Sequence, residues 1–317
     1  MKNVLLFFET SLDAPRSCRG VIHQTVKDAK CVIEASTACY PIYDYLKERG
    51  VNIIVAHPKR VKAICSAKLK TDKVDARMLA DLARANLVPE AHIPSKEVRA
   101  ERDLIRHHIS LTEQHTRLVN QTKAALLRYR VRLPKNIFTK KSQKLADASE
   151  MPGSLKLKLV HAKQQHDLLK KELNEVNALI DAAAQQNKDA LLLSSFRGIA
   201  SFLSLGITLH IDGVKRFPDS AHLVSYMGLS PRIRQSGESL HVSGVGKDSS
   251  SILRWMMVQA AWNVVRFEPC FTGMYRELLR KGKKEQKAIV IVAKRLGRIM
   301  YYMLRDQTTF QRKEVGC

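Results

Sequence analysis

The chain has 317 residues, 45% of them hydrophobic, with 14 Gly and 10 Pro, which suits a globular protein of two domains able to bury a real core. Lys and Arg number 54 against 30 Asp and Glu, a net charge of +24 and a pI near 9.9; such self-repulsion favours a polyanionic partner, nucleic acid first and an anionic membrane surface second. No stretch of about 18 apolar residues occurs, and the opening VLLFF has neither the length nor the cleavage site of a signal peptide, so a cytoplasmic protein is expected.

The first hundred residues read as α/β. Three short apolar runs, 4–8 (VLLFF), 30–34 (KCVIE) and 51–56 (VNIIVA), have strand length, and an amphipathic stretch ending on Gly50 separates the last two. Strand, helix, strand implies a parallel pair. His57-Pro58 opens a basic loop, KRVKAICSAKLK, after which TDKVDARMLADLARAN reads as a helix capped by Thr71. The cysteines (Cys18, Cys31, Cys39, Cys65, Cys270, Cys317) form no CxxC pair and have no histidines at ligand spacing, so reduced thiols are expected rather than a zinc site.

From about 97 to 185 the sequence is charged and helical, two long helices broken near Pro134 and Met151-Pro152-Gly153. They read as a spacer or as a coiled coil that dimerises the chain. From 191 onward, LLLSSFRGIASFLSLGITLHIDGVKRF reads as two helices around a tight Gly turn. A polar loop from FPDSAHLVSYMGLSP to about 248 follows, then helices in SSILRWMMVQAAWNVV and KKEQKAIVIVAKRLGRIMYYMLR. Long loops inside compact domains often carry function.

Glu34 closes a strand, and Asp72 and Asp75 lie three apart at a helix start, so the two aspartates share a helix face. Converging carboxylates of this kind suit Mg²⁺ or Mn²⁺, which take oxygen ligands and keep several waters. A plainer reading stands beside it: Asp72 as a partner of the helix dipole and Asp75 as half of a surface ion pair with Arg77. Ser236 stands in RIRQSGES, where Gly237 permits close approach to a phosphate and Arg232 and Arg234 offset its charge. Its hydroxyl needs a base or metal before it can attack. Without further context it is an ordinary loop serine. His107, His108 and His115 read as a solvated basic face, and Tyr129, Tyr301 and Tyr302 as packing residues. Basic runs at 59–70, 117–144 and 276–298 suit phosphate neutralisation.

In order along nearly the whole chain, VIEASTACYPIYDYLKERG, NIIVAHPKRVKA, KTDKVDARMLADLARANLVPEAHIP, FPDSAHLVSYMGLSPRIRQSGES and GVGKDSSSILRWMMVQAA resemble the conserved blocks of transposases of the insertion-sequence 110 family, relatives of the pilin-gene invertases. K-T-D-x-x-D-A and G-L-x-P-R-x-x-x-S-G are the specific motifs. The resemblance implies an α/β RNase-H-like (RuvC-type) domain with a D-E-D-D site at 1–96, a helical coiled-coil connector at 97–190, and a mostly α transposase domain with a helix-hairpin-helix-like element at 191–317. By motif, Glu34 takes the family's glutamate, Asp72 and Asp75 its last two aspartates, and Ser236 its serine, while Arg197, Arg232, Arg234 and Lys247 are expected on nucleic acid. The implied function is a nucleoid-associated prokaryotic recombinase that cuts DNA through a phosphoserine link and rejoins it. It would use Mg²⁺ or Mn²⁺, a guide RNA that selects the target, and a dimer or tetramer of the chain. At the turn, R-G-I-A with Arg197 and Ala200 stands where the family has a P-G-I-G-like sequence.

The family's first aspartate lies on an opening strand, in a G-I-D-like segment. Only 33 residues precede Glu34, and MKNVLLFFETSLD reads as the third strand of the sheet. The N-terminal domain is therefore expected to lack its first strands and first Asp, and the chain to bind nucleic acid but cut poorly. Two other readings are a Holliday-junction-type metal nuclease in which Ser236 is structural, and an inactive nucleic-acid-binding remnant.

Overall fold

In the computed structural model the chain forms two compact units, Met1–Pro94 and Ser95–Cys317. The structure describes residues 4–6, 30–36, 38–64, 72–131, 134, 136–147, 149–236, 239–245 and 250–311, with backbone alone for 4–6, 72–73 and the strand residues between 232 and 245.

In the first unit β1 (Val4–Leu6), β2 (Lys30–Glu34) and β3 (Asn52–Ala56) form a parallel sheet in the order β1-β2-β3. Lys30 stands opposite Val4 on one side and Asn52 on the other, and Glu34 opposite Ala56. The expected parallel pair is present. The opening run, expected as a third strand, lies directly beside β2, and the described residues supply no strand between them.

Cys31, Val32 and Ile33 of β2 are all buried, because both faces of the sheet are covered and successive residues enter opposite clusters. Cys31, Ile33, Ile53 and Val55 share one apolar cluster with Cys39, Ile42 and Leu46 of α1 (Cys39–Lys47). Val32 and Ala56 share another with Val61 of α2 (Pro58–Ile64) and Leu79, Leu82 and Ala83 of α3 (Asp72–Arg84). The basic segment after His57, expected as a loop, thus begins as a helix: proline is tolerated in a first turn, and Val61 gives the segment a buried anchor. Gly50, at φ +75°, supplies the left-handed residue that releases the chain from α1 into β3.

The second unit starts with α4 (Lys96–Arg128), whose first turn is capped where Ser95 Oγ accepts from the Val98 amide at 3.3 Å. After α5 (Lys140–Asp147), α6 (Gly153–Gln186) returns against α4. Then come α7 (Lys188–Ser194), α8 (Ser201–Ile211), α9 (Ser220–Tyr226), the strands β4 (Pro231–Ser236) and β5 (Ser239–Val245), α10 (Ser251–Phe267), α11 (Pro269–Arg280) and α12 (Glu285–Asp306). Ile105 of α4 and Val176, Ile180 and Ala184 of α6 share the main core with α7 to α12.

Three expectations are corrected. The stretch from Phe217 to about 248 is not one polar loop: it holds α9, capped where Asp219 Oδ1 accepts from the Ala221 and His222 amides, and an antiparallel hairpin of β4 and β5. Helix α11 was not anticipated; its Pro269 occupies the first turn. Cys270 is disulfide-bonded rather than a reduced thiol.

Helix α8 is the centre of this unit, buried from Leu203 to Ile211. At Gly206 an added Cβ would meet Met256 Cε at 2.7 Å, so the absence of a side chain lets α10 pack closely. Burying a helix end leaves its last carbonyls without water, and three side chains supply their hydrogen bonds. Arg102 Nε and Nη2 donate to Leu209 O at 2.9 and 2.7 Å, Tyr226 OH to His210 O at 3.2 Å, and Arg216 Nε to Ile211 O at 2.8 Å. Arg102 also lies 3.8 Å from Asp212, so a buried guanidinium of α4 ties that helix to the C-terminal helices.

His210 donates from Nδ1 to Gly206 O at 2.8 Å. Burial, with smaller contributions from Arg102 and Arg106, takes its pKa down to about 4 despite the opposing Gly206 bond. The unfolded chain therefore binds a proton below pH 6.5 that the folded chain takes up only near pH 4, and folding is favoured fully above 6.5. Stability is expected to fall by about 3 kcal/mol between pH 6.5 and 4 on this account. Denaturant unfolding across that range should show a shallower pH slope in His210→Gln; an equal slope in both proteins would contradict the assignment.

Candidate active site

Glu34 is the last residue of β2, and strand alternation puts it on the face of Val32, the face covered by α3. On α3, positions 72, 75, 79 and 82 follow one helical stripe, and Leu79 and Leu82 of that stripe are buried against the sheet. Asp75 is half-buried and Glu34 is exposed. Among the described residues neither carboxylate has a hydrogen bond or ion pair, and no Asp75–Arg77 pair forms. The register therefore places a strand-end glutamate and a helix-start aspartate on the same side of the sheet. Asp72 begins the helix, with only its backbone described, and Thr71 lies outside the described residues. Among the described residues no three His, Cys, Asp or Glu side chains cluster as a metal site; Glu34 and Asp75 are two oxygen donors without other partners, the donor type a hard divalent cation takes. One acid escaped notice in the sequence: Glu90 bridges to Ala56, which sets it at the level of Glu34 on the far side of β3.

In the second unit Ser236 ends β4 and stands opposite Ser239 of β5, so it lies at the tip of the hairpin. Arg232 and Arg234 hold alternate positions before it on the same strand. Lys247 lies outside the described residues. The turn between α7 and α8 carries an exposed Arg197 between buried Phe196 and buried Ile199. Gly198 sits at φ +94°. Its carbonyl accepts from Asn263 Nδ2 at 3.0 Å, and an added Cβ would come within 2.6 Å of Phe267; only glycine fits this turn against α10. Of the three tyrosines, Tyr301 is packed, donating to Pro218 O at 3.1 Å, whereas Tyr129 and Tyr302 are half exposed.

Known proteins match both regions. A family model described as "Transposase IS116/IS110/IS902 family" matches residues 190–276, and the DEDD-type IS110 transposase model matches residues 8–131. The first span contains Ser236 and the second contains Glu34, Asp72 and Asp75. Both regions therefore match transposase domains of the IS110/IS116/IS902 type.

Its relatives agree. A putative transposase of Sinorhizobium fredii is 24% identical over 307 residues, covering 87% of this chain and 76% of that protein. The pilin gene-inverting protein of Moraxella bovis is 29% identical over 143 residues, 44% of each chain. The transposase for insertion sequence element IS1533 of Leptospira borgpetersenii is 40% identical over 82 residues, 26% of this chain and 24% of that one. These matches support a transposase or recombinase enzyme and imply DNA as its substrate class. Among its described residues no helix is long and apolar enough to cross a membrane.

Proposed function

We propose that this transposase cuts and rejoins DNA with Ser236 as nucleophile and with Glu34, Asp72 and Asp75 as ligands of Mg²⁺ or Mn²⁺. The observation that carries the reading is a pair of carboxylates, Glu34 and Asp75, on one side of the sheet and without a partner among the described residues. An unpaired, half-buried carboxylate is costly unless something compensates its charge. The Ser236 hydroxyl attacks a DNA phosphorus and loses its proton to a base. The bond from phosphorus to the departing strand's sugar oxygen breaks, and that oxygen gains a proton. Attack by an incoming sugar hydroxyl on the phosphoserine reverses the exchange and reseals the strand. A bound divalent cation would supply charge neutralisation at the phosphate and at the leaving oxygen. Arg232 and Arg234, four and two residues before Ser236, hold alternate positions with it on β4 and would offset phosphate charge, with Lys247 and Arg197 adding contacts to the backbone of the nucleic acid.

Two assembly features belong to the same proposal. A net charge of +24 suits a guide RNA held together with DNA. On α6, Leu157, Leu168 and Leu179 recur every eleven residues and are 56, 56 and 59% exposed, an outward apolar row that supports pairing between copies of the chain.

Incubation of the purified protein and its co-purified RNA with a supercoiled plasmid carrying the element's ends tests the reading. Strand exchange is expected with Mg²⁺, lost on chelation, and lost on RNase treatment while plain DNA binding survives. Exchange that persists in chelator would contradict the metal assignment, and exchange that persists after RNase would contradict the guide.

A further inference from the structure

The seam between α4 and α6 is apolar at its two ends, where Ile105 joins the cluster of Val176 and Ile180 and Ala125 and Leu126 join that of Leu155. Its middle is polar and incompletely filled. There His108 and His115 of α4, seven residues apart on one face, and His166 of α6 line a cavity of about 420 Å³. The expected solvated face is thus corrected for His108 and His115, while His107 is exposed.

His115 Nε2 and His166 Nδ1 are 2.8 Å apart. The ring of Phe138 stacks on His166, with centroids 4.5 Å apart and planes 28° from parallel. Asn136, Asn174 and Asn177 bring three carboxamides to the cavity, Lys170 brings a cation, and no carboxylate lines it among the described residues. Asn177 hydrogen-bonds the His108 side chain, while His108 Nδ1 is buried without a hydrogen-bond partner among the described residues. Burial lowers the pKa of both His108 and His166, which favours neutral rings.

A polar layer that merely fixed the register of two helices would be filled by its own partners. This one leaves a ring nitrogen unmatched beside an open volume within the range of small-ligand sites. Carboxamides offer donor and acceptor side by side, the pattern that pairs with a base edge. A flat aromatic pair is a stacking surface, and a lysine at the rim suits a phosphate.

We propose that this cavity takes one unstacked nucleotide of the nucleic acid the protein holds, with its base on the Phe138–His166 pair, its edge at the asparagines and its phosphate at Lys170. The inference rests on the reading that the chain binds nucleic acid, and the cavity is too small for a duplex. The shared ligand is a nucleotide, supplied by RNA or by DNA.

The test uses the full chain and two single-stranded probes of one sequence, an RNA carrying 4-thiouridine and a DNA carrying 4-thiothymidine, each irradiated in complex and mapped by peptide mass. Cross-links within 136–139 or 166–177 are expected, and the probe that gives them names the source. Cross-links found only elsewhere overturn the proposal. If neither probe is retained by the wild-type chain, the nucleic-acid reading itself fails. With whichever probe cross-links, Lys170→Ala is expected to reduce the slope of log affinity against log salt by about one without moving the thermal midpoint, because Lys170 is exposed. An unchanged slope removes the phosphate from this site.

Discussion

Glu34→Gln and Asp75→Asn are each expected to slow DNA strand cutting about a thousandfold, the equivalent of about 4 kcal/mol of lost charge stabilisation at the reacting phosphate. Both replacements keep the size of the side chain and remove its charge. Neither carboxylate has a protein partner to lose among the described residues, so the fold has no reason to suffer. Asp75 is half-buried beside the Leu79 and Leu82 stripe, and neutralising it should leave the thermal midpoint unchanged or slightly raised, as happens when a site holds charge for function rather than for stability. DNA affinity, carried by the large cationic excess, should change by no more than about twofold. Single-turnover cutting measured beside thermal melting separates the outcomes. A midpoint that falls together with activity would make these acids structural, and full activity in either variant would remove it from the site.

Much of the fold was legible where a periodic pattern and a boundary coincided. The strands at 30–34 and 52–56 are short apolar runs separated by a helix that ends before Gly50, so their parallel pairing followed from the sequence. The long helices declared themselves by length and by the breaks at Pro134 and Pro152. The hairpin did not, although its signal was present: Arg232-Ile233-Arg234 and Leu240-His241-Val242 alternate on either side of two residues, Gly237 and Glu238. Serines in both strands and a glycine in the second made them resemble a loop. Arg102 was invisible for a different reason. Its partner is a carbonyl 107 residues away, and nothing local distinguishes it from the solvated arginines of the same helix.

The same limit applies to the sites. Spacing placed His108 and His115 on one face, but their burial depends on His166, 51 residues from His115. Asp75 of α3 and the strand-end glutamate could be placed on one side of the sheet only once the register and the buried stripe were known. Family motifs singled out Ser236 among many serines; the hairpin then put it at a tip, directly opposite Ser239.

A serine at a strand end has few structural duties, so Ser236→Ala should leave folding and DNA binding intact while lowering strand exchange by about 10⁴-fold or more, the scale on which removal of a nucleophile acts. The alternative, in which the carboxylates alone hydrolyse the phosphodiester, predicts little change. These accounts differ most sharply in what becomes of the cut strand. Denaturing gels of the wild-type reaction, quenched during cutting and followed by peptide mapping, measure that difference directly. A DNA strand covalently linked to the peptide that contains Ser236, and absent from Ser236→Ala, is the predicted result; free 5′-phosphate ends with no adduct, formed equally by both proteins, would contradict it.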